Sequence, residues 1–102
     1  MQTLGNIDIP TTGTRVRVTT DESIWCEVVY FQAPVTNTGL IYIGNSSVSS
    51  TAGGFGTLNI PAATGVLPEW RTPVTSQPRA MQLAGFYVDA SVNGDDVLVS
   101  YR

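Results

Sequence analysis

Short stretches of alternating apolar and polar residues recur along the chain, and no segment longer than a turn shows the three-and-four spacing of an amphipathic helix. Alternation with period two is the signature of a half-buried strand, because successive side chains point to opposite faces. The pattern predicts an all-β, single-domain, jelly-roll-like antiparallel β-sandwich of about eight strands. Residues 3–9 set Ile7 and Ile9 on one face and stop at Pro10, which cannot donate to a sheet ladder. Residues 14–20 alternate strictly, with Val16 and Val18 inward against Arg15 and Arg17. Residues 23–33 differ: Ile24, Cys26, Val28 and Tyr30 line one face, while Trp25, Val29 and Phe31 line the other. Residues 40–43 repeat this two-sided pattern. A two-sheet sandwich covers one face of each strand. The second face is therefore expected to be an interface with another copy of the chain, carried by Trp25, Val29, Phe31, Leu40 and Tyr42.

Residues 45–56 are a Ser, Thr, Gly and Asn loop around Val48 and Phe55, and 57–60 alternate again before Pro61. Residues 61–79 hold four of the six prolines, with Trp70 and Arg71 in the middle. They read as a proline-rich loop with one short strand near 66–71, either a functional excursion or a plain connector. Trp70 with Arg71 suits an anchor pair for another protein, and equally a Trp folded back onto its own domain. The last segments, 80–92 and 97–102, flank Asn93-Gly94-Asp95-Asp96 and predict a closing hairpin. It sets Phe86, Val88, Ala90 and Val92 against Val97, Val99 and Tyr101.

Composition narrows the chemistry. The 102 residues include no Lys and no His, and the charged fraction of 13% is about half the usual roughly 25%. Ser and Thr supply the remaining polarity. Without His or Lys, the common bases near neutral pH, the imidazole metal ligand and the Schiff-base amine are missing, so a non-enzyme is expected. Asp21-Glu22 and Asp95-Asp96 lie in turns and read as solvated acids, and Gly53-Gly54-Phe55-Gly56 lacks the helix and basic partner of a phosphate loop. No cofactor or metal is expected. Net charge is −3 and the five Arg residues are scattered, against nucleic-acid binding. The longest apolar run is four residues, so no membrane span or signal peptide is expected, and the chain should be soluble and begin near Met1. Cys26, the single cysteine, reads as a small buried hydrophobe.

Three segments carry a resemblance. Gly39-Leu40-Ile41-Tyr42-Ile43-Gly44 opens the hydroxyl-rich run to Thr51, Leu58-Asn59-Ile60-Pro61-Ala62-Ala63-Thr64-Gly65 follows, and the ending runs from Phe86-Tyr87-Val88-Asp89-Ala90 to Val97-Leu98-Val99-Ser100-Tyr101. Together they cover about a third of the sequence, which resembles small tailed-bacteriophage virion proteins, most of all head decoration (cement) proteins. That resemblance implies a homotrimer on the outer surface of the head, bound to the major capsid protein and stabilising the shell. An extended N-terminal arm, residues 1–12, would reach the capsid through Leu4, Ile7 and Ile9. The loop 61–79 would do so through Trp70, Arg71 and Arg79. The alternatives are a tail or fibre module binding a host receptor or glycan, with Trp25, Tyr42 or Trp70 stacking on sugars, and a head-to-tail connector. The resemblance implies no catalytic residues.

Overall fold

The computed structural model describes residues 2–49, 53–61, 67–72 and 81–102. Among the described residues ten strands are formed: β1 (Gln2–Ile9), β2 (Val16–Arg17), β3 (Trp25–Cys26), β4 (Val29–Gln32), β5 (Ile41–Gly44), β6 (Gly56–Leu58), β7 (Glu69–Arg71), β8 (Met81–Gln82), β9 (Tyr87–Ala90) and β10 (Asp95–Tyr101). One sheet runs β1-β10-β4-β7, the second runs β2-β9-β5-β6, and β3 pairs with β8 in a small separate ribbon. Every pairing is antiparallel. Leaving the ribbon aside, the remaining eight strands have the order of a jelly roll. Only β5 and β6 are sequence neighbours within one sheet; each other connection along these eight strands crosses to the opposite sheet.

This topology corrects the reading of the C-terminal segments. β9 and β10 are not a hairpin, because β9 lies between β2 and β5 while β10 lies between β1 and β4. The Asn93-Gly94 turn is present, with Gly94 at φ 83°, but it carries the chain from one sheet to the other. Val88 and Ala90 meet Val97 and Val99 as one buried cluster, not as a hydrogen-bonded ladder. The segment before β9 is also interrupted, by a 3-10 turn over Leu83–Gly85.

The expected arm is a second correction. β1 pairs with β10 from Gln2 to Ile9, so this segment is an edge strand of the sandwich rather than a free extension. A bulge between Thr3 and Gly5, with Gly5 at φ 117°, bends it.

The supposed two-sided strand at 23–33 breaks between β3 and β4. Cys26 is buried before the break, and Val28, Val29, Phe31 and Ala33 are all fully buried after it. The irregular step at Glu27-Val28 changes which alternate positions face inward, so both apparent faces feed the same core. Glu27 and Val28 N–H groups donate instead to the Arg102 carbonyl. Phe31 lies at the centre of that core: its ring centroid is 5.8 Å from Trp70 and 5.7 Å from Phe86. Phe55 then meets Phe86 edge-on at 6.3 Å, so aromatic contacts run from the core to the surface.

Candidate functional site

The expected interface residues divide. Val29 and Phe31 have no exposed surface, so they are core residues and cannot line a contact with another copy. Trp25 is half exposed, on the ribbon, while Leu40 and Tyr42 are partly buried. Among the residues expected to touch a capsid, Ile9 is fully buried and Leu4 and Ile7 pack against the core, because β1 is built into its sheet. Trp70 is likewise turned inward, against Phe31 and over Gly56. A Cβ added at Gly56 would sit 2.4 Å from Trp70 Nε1, so glycine makes room for the indole between β6 and β7. Arg71 is exposed; Arg79 lies outside the described residues, as does most of the loop 61–79.

What the sequence did not suggest is the construction of one end of the sandwich. Strand register places the β1–β2, β4–β5 and β9–β10 connections there, together with the chain leaving β6. Asp95, nearly buried, accepts hydrogen bonds from Thr38 N–H at 3.1 Å and Gly39 N–H at 2.8 Å. It is no solvated turn acid. Asn37, also buried, donates to the Asp96 carbonyl at 2.7 Å and accepts from Asp96 N–H at 2.9 Å, so its amide acts as a short extra strand. Leu40 N–H donates to Ser91 Oγ, and Ser91 N–H to the Leu40 carbonyl. The β1–β2 turn is tied down the same way, with Thr12 bonded to Asn93 and to the Ala90 carbonyl, and Gly13 N–H donating to the fully buried Asp89.

Backbone groups in these loops, which water would otherwise satisfy, are thus bound by the chain itself. At the same end Val35 is 70% exposed and Ile60 55%, and Val92 is also exposed. Val35 and Val92 thus tip polar-braced loops, and Ile60 lies beside them on the chain leaving β6. Pro34-Val35-Thr36-Asn37 is a turn closed by Asn37 N–H on the Pro34 carbonyl. The Pro and Asn of that turn were the only local sign of it. The partners of Asp95 and Asn37 lie more than fifty residues away, beyond the reach of any local pattern.

At the opposite end, Trp25 and Phe55 are the exposed aromatics. Arg17 is held there over the Tyr87 ring at 5.8 Å, with its Nε donating to the Ala84 carbonyl. Burial pushes the Cys26 thiol up, which makes it a poor nucleophile.

Beside the braced end, Asp8 faces Asp96 directly across β1 and β10. A hydrogen bond shared by the two carboxyls, followed by desolvation and mutual repulsion, raises the Asp8 pKa above the ordinary 3.8. A folded-state value above the unfolded one favours folding in acid, and that advantage disappears as pH rises through the folded value. Asp8→Asn should therefore raise the melting temperature modestly at pH 7 and scarcely at pH 3, as thermal scans at both pH values will show.

Among the described residues, no three His, Cys, Asp or Glu side chains group to hold a metal ion. No protein-family profile matches the chain, and no curated protein sequence or solved structure matches it.

Proposed function

We propose that the chain is a non-enzymatic bacteriophage virion protein that decorates the outside of the head and cements it, binding the major capsid protein. The observation that supports this most is the braced loop end. Val35 and Val92 sit on loops already tied by hydrogen bonds, so little ordering entropy is lost there on docking. The sequence likeness to virion proteins and the hydroxyl-rich exterior point the same way, as does an architecture used in viral coats. Val35, Ile60 and Val92 take over the capsid contact first assigned to Leu4, Ile7, Ile9 and Trp70. Trp25, Leu40 and Tyr42 remain as the residues for contact between copies in a homotrimer.

The test is a binding assay with empty heads from a phage strain lacking this gene. Purified protein should co-sediment saturably with those heads and raise the temperature at which they disrupt. The double substitution Val35→Asp with Ile60→Asp should reduce binding at least about tenfold, the scale of losing an apolar anchor at an interface. Light scattering of the free protein should give a trimer. Absence of binding overturns the proposal; a monomer that still binds removes the trimer alone.

A further inference from the structure

The outer face of the β1-β10-β4-β7 sheet carries a second feature, independent of the head-binding reading. Because paired residues of an antiparallel ladder point to the same side, the register lays out two rows across the four strands. One row is Asn6, Leu98, Gln32 and Glu69; the other is Thr3, Ser100, Tyr30 and Arg71. Their centre is a depression of about 240 Å³ lined by Tyr30, Gln32, Glu69, Leu98 and Ser100.

Tyr30, Gln32 and Ser100 are partly buried there, yet among the described residues their side chains are not engaged by a hydrogen-bond partner within the chain. This contrasts with the braced end, where Asp95 and Asn37 are saturated. The depression thus offers an aromatic ring, an apolar floor at Leu98, an amide, a carboxylate and a hydroxyl, all available to a ligand. Glu69 and the neighbouring Arg71 cancel in charge, which disfavours a strongly anionic or cationic ligand. A polyhydroxylated ring fits that set: its C–H face lies against Tyr30, and its hydroxyls meet Gln32, Glu69 and Ser100 as both donors and acceptors. The volume lies below the roughly 300–1,000 Å³ of sites that enclose a drug-sized molecule, so the site would seat one ring of a longer chain.

We infer that this face binds a neutral polysaccharide, one sugar ring resting on Tyr30. That places the sugar contact on Tyr30, not on Trp25, Tyr42 or Trp70. The experiment is a two-dimensional amide NMR titration with maltohexaose, cellohexaose and mannohexaose, and with trigalacturonate and chitosan trimer as charged controls. At least one neutral oligosaccharide should shift the Gln32, Leu98 and Ser100 amides, and the charged controls should act more weakly. Tyr30→Ala should lower affinity about three- to tenfold, the scale of one aromatic contact. Gln32→Ala, a smaller change on the same outward face, repeats the test if the tyrosine variant does not fold. The inference is overturned if no neutral oligosaccharide shifts these amides, if the charged controls bind as well, or if the folded variants bind like the native chain.

Discussion

Phe31→Ala should lower the unfolding free energy by about 3–5 kcal/mol, the cost of removing a fully buried aromatic ring and leaving a cavity. Phe31 is 0% exposed and touches both Trp70 and Phe86, so its loss also frees the indole that plugs the flank above Gly56. For a domain whose whole stability is about 5–15 kcal/mol, that is a large share. Urea denaturation followed by tryptophan fluorescence measures it, with Phe55→Ala as the comparison. Phe55 is 57% exposed and its main ring contact is one edge on Phe86, so its replacement should cost about 1 kcal/mol or less. Equal losses would mean that Phe31 does not organise the core.

The second large effect is polar. Asp95→Ala strands the buried Gly39 N–H and leaves that of exposed Thr38 to water, and an unsatisfied buried donor costs about 1–3 kcal/mol. A total loss of about 3 kcal/mol corresponds to a drop of roughly 12–24 °C in Tm for a domain of this size. Asp95→Asn keeps one acceptor oxygen and should lose about half as much. Differential scanning calorimetry of the two variants separates the outcomes. A drop of only a degree or two for Asp95→Ala would mean that water replaces the carboxylate without penalty and that the loops are not braced through it.

Both residues show where the sequence is informative and where it stops. Alternation marked Val16 and Val18 as inward-facing, and Val18 is buried and Val16 partly so. Periodicity reports which side chains share a face, a local property. It does not report which strand lies alongside, and so Asn93-Gly94 suggested a hairpin where the chain in fact changes sheets. Val29 and Phe31 looked two-sided for a related reason: an irregular step at Glu27-Val28 leaves no mark in hydropathy, yet it reverses the phase of everything after it. Asp95 was misread because an acid in a turn is ordinarily solvated. Its burial depends on a loop 56 residues distant in sequence folding over it.

A docking surface need not be large if it is already ordered, since the cost of fixing loops then falls on folding rather than on binding. Backbone amide hydrogen exchange of the free protein measures this at single residues. Thr38, Gly39, Leu40 and Gly94 N–H groups, each bonded within the loop end, should exchange nearly as slowly as the β10 amides. Exchange of these four at the rates of unprotected loop amides would contradict the claim that this end is formed before any partner meets it.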